Sequence, residues 1–332
     1  MQIKNCRGCG LALTSETDSE AHVIPNALGG RLKPRGILCR TCNGQLDRLA
    51  DNPLVEAFGD WPTLLNFPRD RGEHPPKLIE TREGRRVRLE ADGSLRRTDV
   101  LYTVTPVAEG HKVEIGAGNM KTVRQLLKRA EKQFPQFDAK AAEQYARVLG
   151  IEDGDELKLS LDFSPQAVFG GVIAAIWLYL ILTTGRAFMD WQRLLDCIAE
   201  MQARGGTFRY FIDGLPGLKG PQIGLGHKIV ARSVPATGEM IAYVEILGIL
   251  RVGGLFAKAK APSMVIEHIY AYDLASRADR SGEFAIDTGE FESQQWQTVG
   301  LAPTDYEALR KHFKAALGIF EVHYRQRFQT QA

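Results

Sequence analysis

The chain has 332 residues, 44% of them hydrophobic and 25% charged, with 42 Lys and Arg against 40 Asp and Glu. That length suits two domains rather than one, and the composition excludes a disordered or fibrous protein. A formal charge of +2 excludes a chain-wide polyanion-binding surface, so any affinity for nucleic acid must be local. The N-terminal stretch Met1 to Cys6 lacks the apolar core of a signal peptide, which makes a cytoplasmic location the expectation. In that setting five cysteines, four of them in Cys-x-x-Cys pairs, read as metal ligands rather than disulfides.

Residues 1–50 contain both pairs, Cys6-Arg-Gly-Cys9 and Cys39-Arg-Thr-Cys42, with 29 residues between them. A helix is expected over 46–58 from the apolar spacing of Leu46, Leu49, Leu54, Val55 and Phe58, with Pro53 as an interruption. Trp61, Leu64, Leu65 and Phe67 are expected to pack. Residues 69–97 carry nine Lys or Arg against six Asp or Glu. Alternation around Lys77–Thr81 and Arg86–Glu90, with turns at Glu83-Gly84 and Asp92-Gly93, predicts short β-hairpins there.

From about residue 98 a mixed region begins. Paired strands are predicted at 100–104 and 112–115 around Glu109-Gly110. An amphipathic helix over 120–134 is predicted to bury Val123, Leu126, Leu127 and Ala130. Helical pattern continues over 139–149, and residues 156–163 alternate as a strand. Residues 167–184 are uncharged, long enough for the lower bound of a membrane span. The Ser164-Pro165 start, the Gly170-Gly171 pair and the absence of a flanking basic cluster favour a buried central helix over a membrane anchor. A helix over 190–204 ending at Gly205-Gly206, a strand over 207–212, a mobile glycine-rich loop over 213–226 and strands over 227–234, 240–250 and 265–272 follow. The closing helix, residues 303–328, is predicted to bury Tyr306, Leu309, Phe313, Ala316, Leu317 and Phe320. Cys197 reads as a buried thiol, and the Glu267-His268 pair as structural.

The four thiolates of Cys6, Cys9, Cys39 and Cys42 are the donor set of a closed, tetrahedral, structural zinc site. Such a site has no open coordination position, so any chemistry must come from residues it places. Between the pairs runs Glu20-Ala-His22-Val-Ile-Pro-Asn-Ala-Leu-Gly-Gly30, and Asn43 follows the last cysteine. Alternation along an extended segment puts Glu20 and His22 on one face and Ala21 on the other.

This ordered set resembles the zinc-stabilised HNH endonuclease family, over roughly residues 1–58. The resemblance implies a ββα-metal nuclease core in which His22 is the general base for water attacking a phosphodiester. It also implies a single divalent cation, commonly Mg²⁺, held in part by Asn43. Where the family usually has an acid or histidine before the catalytic histidine, this chain has Ala21, which leaves Glu20 as the substitute ligand. Arg31, Lys33, Arg35 and Arg40, with no acid between Ala21 and Leu46, are expected to meet the DNA backbone.

The expected fold class is therefore α+β: an HNH-like zinc module over 1–58, a basic linker of short hairpins over 59–97, and a mixed α+β domain over 98–332 around a buried apolar helix. The C-terminal region would serve specificity, regulation by an activating ligand, or homo-oligomerisation. Defence nucleases that join an HNH unit to a recognition domain have this layout. The alternative is a non-catalytic zinc module that binds nucleic acid or a protein partner.

Overall fold

Residues 71–160 together with Thr63–Asn66 pack among themselves, and Met1–Pro62, Phe67–Asp70 and Leu161–Ala332 pack as a second unit. The computed structural model describes residues 4–70, 72–108, 110–148, 156–201, 208–258 and 265–329. Glu109, the Gly205-Gly206 helix stop and Thr207 lie outside the described residues. The α+β class holds, but these units do not follow the expected divisions after residues 58 and 97. Residues 98–160 group with the hairpins before them, and residues 161–332 group with the cysteine module.

The smaller unit contains an antiparallel meander of Lys77–Glu80, Arg86–Leu89 and Leu95–Arg97, turning at the predicted Glu83-Gly84 and Asp92-Gly93. A second hairpin pairs Val100–Val107 with Gly110–Ala117. The helix Met120–Gln133 is capped by Asn119, whose side chain accepts from Thr122 N at 2.8 Å. It buries the four residues its spacing predicted, Val123, Leu126, Leu127 and Ala130. The next helix is only Ala139–Glu143. The expected strand over 156–163 is absent among the described residues. That stretch bridges Thr81 through Leu157 alone, so alternation there reflects a segment without a lateral partner to extend it.

In the larger unit six of the described strands form an antiparallel sheet. Its spatial order is Ala278–Asp279, Glu267–Asp273, Gly226–Val234, Glu239–Ile246, Leu250–Lys258 and Arg209–Tyr210. The run over 240–250 is not one strand. It turns at Leu247-Gly248, where φ is +56° and +73°, and the chain returns as the unpredicted strand Leu250–Lys258. An apolar turn inside an apolar run gives no polarity signal, which is why the pattern concealed it.

The two central strands are buried on both faces. The apolar helix Pro165–Thr184 packs on one face. On the other, Val230, Ile241 and Tyr243 meet Phe211, Leu215, Phe291 and Trp296. Leu215 belongs to the glycine-rich stretch expected to be mobile, and Leu218–Lys219 pairs there with Ala285–Ile286, so part of that stretch is core cover. Charges inside the sheet are paired: Lys228 with Glu245 at 2.7 Å, and Glu245 also accepts from the Tyr243 hydroxyl at 2.7 Å. Arg232 is held by Glu267 and Glu292, which gives Glu267 its structural role.

Pro165–Thr184 is long and apolar enough to cross a membrane, but it is buried from Val168 to Ile181 within its unit. The Gly170-Gly171 pair has a packing purpose. A Cβ on Gly171 would lie 2.6 Å from Leu54 Cδ2 and 3.0 Å from the Ala50 carbonyl. The helix backbone therefore reaches the segment that carries the second cysteine pair.

That segment runs Arg40–Leu46 as α-helix, Asp47–Asp51 as a widened π turn, and Asn52–Ala57 as α-helix again. Pro53 explains the widening: its ring crowds the carbonyl four residues back, at Leu49, and a π turn makes room without ending the helix. The closing helix is Tyr306–Gln329. Leu309, Ala316 and Phe320 are buried, and Phe313 rests on Phe163 at 4.7 Å between ring centroids, whereas Tyr306 is 73% exposed and not part of the core face.

Candidate active site

The two cysteine knuckles come together as their spacing requires. The Sγ atoms of Cys6, Cys9, Cys39 and Cys42 all lie within 4.8 Å of one another, and the five cysteines of the chain, Cys197 included, form no disulfide. Backbone N–H groups already point at the sulfurs: Gly8 N and Cys39 N donate to Cys6 Sγ at 3.3 and 3.2 Å, and Cys42 N to Cys39 Sγ at 3.5 Å. Burial raises the Cys6 thiol, but these donors outweigh it and bring the pKa down to about 7. Burial pushes Cys39 and Cys42 up. Four sulfurs at this separation, with amides turned toward them, are a donor set that fits one tetrahedral ion such as zinc. Among the described residues they are the group of three or more His, Cys, Asp and Glu side chains placed to share an ion.

Between the knuckles the chain folds back on itself as two extended arms. Ser19 N donates to Leu38 O, Ala21 N to Pro34 O at 3.2 Å, and Val23 N to Leu32 O at 2.9 Å. The pairing slips by two residues between the first and second bonds, at the Gly36 turn, so the arms are hydrogen-bonded without forming a regular strand pair. Ala21 and Val23 point into the core, with 0% and 1% exposure, while Glu20 and His22 face outward together, as alternation predicts. A carboxylate at position 21 would be buried in this fold.

Beyond His22 the chain makes a 3-10 turn, Asn26–Leu28, and leaves it through Gly29 at φ +86°. A Cβ on Gly30 would lie 1.9 Å from Ile24 O, so the turn closes only with glycine there. The central sheet holds this turn: His227 Nε2–H donates to Leu28 O at 3.0 Å. His227 is fully buried and its Nδ1 has no partner, and burial drives its pKa down to about 4.

Asn43 sits in the first turns of the helix that Cys39 caps, and its Nδ2 donates to Glu20 O at 3.5 Å. Asn43 and Glu20 are therefore neighbours. The Glu20 carboxylate accepts from Arg35 Nη2 at 2.8 Å, and Lys33 Nζ lies 3.8 Å away. Arg40 is exposed at the first position of the same helix.

One residue of the cluster was not foreseen. Asp70 Oδ2 lies 3.2 Å from His22 Nε2 and 2.6 Å from Lys33 Nζ, and its Oδ1 lies 2.8 Å from Arg31 Nη1. Its backbone N–H donates to Asn26 Oδ1 at 3.1 Å. The Lys33 hydrogen bond, reinforced by His22 against the opposing effect of burial, holds the Asp70 carboxyl at about 2. No motif spacing in the sequence marks this aspartate, which stands in a stretch read only as a charged linker. The same contacts show that Arg31, Lys33 and Arg35, expected as phosphate contacts, are engaged with the site's own carboxylates.

Residues 6–59 match the family model described as HNH endonuclease. This segment is an HNH domain. No curated protein and no solved structure matches the chain. The match ends before Asp70, and the HNH domain is packed into the larger unit with the sheet and the apolar helix rather than standing apart.

Proposed function

We propose that the chain is a metal-dependent HNH endonuclease that hydrolyses DNA phosphodiester bonds, with His22 as general base. The observation that carries this reading is the His22 cluster: an outward-facing imidazole with one ring nitrogen on the Asp70 carboxylate, which Arg31 and Lys33 share, on the arm whose Glu20 bonds Arg35 through its carboxylate and Asn43 through its backbone carbonyl. The four cysteines hold structural zinc, which fixes the start of the helix bearing Asn43 against the His22 arm.

Glu20 and Asn43 are the oxygen donors that would hold a catalytic divalent cation, Mg²⁺ or another, whose chemistry is to stabilise charge on the scissile phosphate and the leaving 3′ oxygen. The chain's own groups do the rest. Arg31, Lys33, Arg35 and Arg40 draw the backbone phosphates to the site. His22 takes a proton from water as its oxygen bonds to phosphorus and the bond to the 3′ oxygen breaks. The region over 98–332 would set specificity, respond to an activating ligand or mediate self-association.

Incubating supercoiled plasmid with the zinc-loaded protein and Mg²⁺, Mn²⁺ or Ni²⁺ tests this. Cleavage by wild type and its loss in His22→Ala is the expected result, and equal cleavage by both defeats the reading. A second reading is favoured by one observation, the pairing of Glu20 with Arg35 and Lys33 in place of a cation. It makes the domain a non-catalytic zinc module for nucleic acid or a protein partner. Isothermal titration separates the two: a second divalent site that disappears in Glu20→Ala or Asn43→Ala belongs to the enzyme, and zinc alone belongs to the module.

A further inference from the structure

We infer that Asp70 is the positioning residue of the site: it fixes the tautomer and orientation of His22 and holds Arg31 and Lys33 ready beside it. The inference rests on the nuclease reading for its kinetic consequence, though not for its structural one. Asp70 lies outside the segment that matches the HNH family, so the match does not supply it.

The chemistry follows from the contacts. An ionised carboxylate only accepts hydrogen bonds, so at 3.2 Å the hydrogen between Asp70 Oδ2 and His22 Nε2 belongs to the ring. With Nε2 protonated, Nδ1 carries the lone pair and is the nitrogen that accepts a proton. When water attacks, its proton passes to Nδ1 and its oxygen bonds to phosphorus. The bond to the 3′ oxygen breaks, and that oxygen takes a proton from solvent. The imidazolium so formed keeps its Nε2–H on Asp70, whose negative charge offsets the new positive one. The ring later returns the Nδ1 proton to solvent.

Asp70 is built into place rather than resting there. Its backbone is tied to Asn26, one turn past His22, and its carboxylate meets three side chains of the module at once. Phe67, three residues before it, is 2% exposed, which anchors the approach of the chain. Lys33 reaches both Asp70 and Glu20, so one ammonium group links the histidine's partner to the carboxylate proposed as a metal ligand. The competing idea is a plug, in which Asp70 occupies the position a phosphate would take against Arg31, Lys33 and His22. The backbone tie and the packed approach favour a permanent partner over a displaceable plug.

Two measurements on the full-length, zinc-loaded protein decide it. Nitrogen NMR of histidine-labelled protein, assigned through His22→Ala, is expected to show His22 with Nε2 protonated and Nδ1 bare. In Asp70→Asn a mixture of the two tautomers is expected. An Nδ1-protonated ring in wild type, or a pattern unchanged by Asp70→Asn, overturns the inference whether or not the protein cleaves DNA. In the plasmid assay, Asp70→Asn is expected to lower kcat about 100-fold with KM within about twofold, and Asp70→Glu to recover part of the loss. An unchanged kcat in Asp70→Asn overturns the positioning role, and a raised one establishes the plug in its place. If wild type does not cleave under conditions that leave the NMR result intact, the nuclease reading fails while the pairing of Asp70 with His22 stands.

Discussion

The cysteine knuckle and the His22 cluster occupy the same N-terminal stretch of chain, yet they are assembled by opposite means. The knuckle takes all its donors from Cys6, Cys9, Cys39 and Cys42, and the amides aimed at the sulfurs belong to the same loops. The cluster is put together from a distance: its carboxylate comes from Asp70, and the turn after His22 is held by His227 of the central sheet. A metal site written as paired residues tolerates variation in what surrounds it. The His22 cluster turns on the orientation of one ring, and that orientation is supplied by whatever packs around it.

The largest effect expected on this contrast is loss of the zinc donors. Structural zinc in small modules is worth on the order of 10 kcal/mol. Cys42→Ser, or removal of metal by a strong chelator, should therefore lower the melting temperature of the larger unit more than any other change considered and reduce bound zinc below one equivalent. Next comes His22→Ala, expected to reduce kcat by roughly 10²- to 10⁴-fold, the range for a general base. Its zinc content and melting temperature should stay at wild-type values. If the histidine variant also loses zinc, the two layers are not separate.

The acid response of His227 is a third probe. Its folded pKa of about 4 lies below that of an exposed imidazole, so between about 6.5 and 4 the unfolded chain binds more protons than the folded one. Stability is full above this window and falls with decreasing pH through it, by about 1.4 kcal/mol per unit. His227→Gln keeps a donor for Leu28 O and should flatten that slope in urea titrations between pH 7 and 4. Retention of the slope would show that another group carries it. Gly171→Val should cost about 1–3 kcal/mol in the same assay, because its side chain has to displace Leu54 and the Ala50 carbonyl. The smallest effect is expected of Arg35→Ala: a lower salt slope of DNA binding by about one unit, with kcat little changed.

Local periodicity and turn chemistry made much of the fold readable. The helix over 120–133, both turns of the three-stranded meander and the burial of the apolar helix followed from the spacing of Val123, Leu126, Leu127 and Ala130, from Gly84 and Gly93, and from the Ser164-Pro165 start. What escaped was nonlocal or apolar throughout. The Leu247-Gly248 turn hides inside a hydrophobic run, and the grouping of residues 161–332 with the first 62 leaves no trace in composition. The site divides along the same line. Glu20 and His22 share a face because alternation requires it. Asp70 joins them only because the folded chain returns to Asn26, and no spacing rule reaches across 48 residues.

The tie between Leu28 and the His227 ring has a practical corollary for anyone moving parts between proteins. The stretch recognisable by motif ends near residue 59, but the residues that steady it are encoded at 70, 171 and 227. A graft of the first 59 residues onto another scaffold would carry the thiolates and the imidazole without their supports. Such a chimaera would keep the four-thiol donor set, and its histidine would be left to find its own orientation. In this protein the segment that matches the family and the residues that hold its histidine arm in place are different stretches of chain.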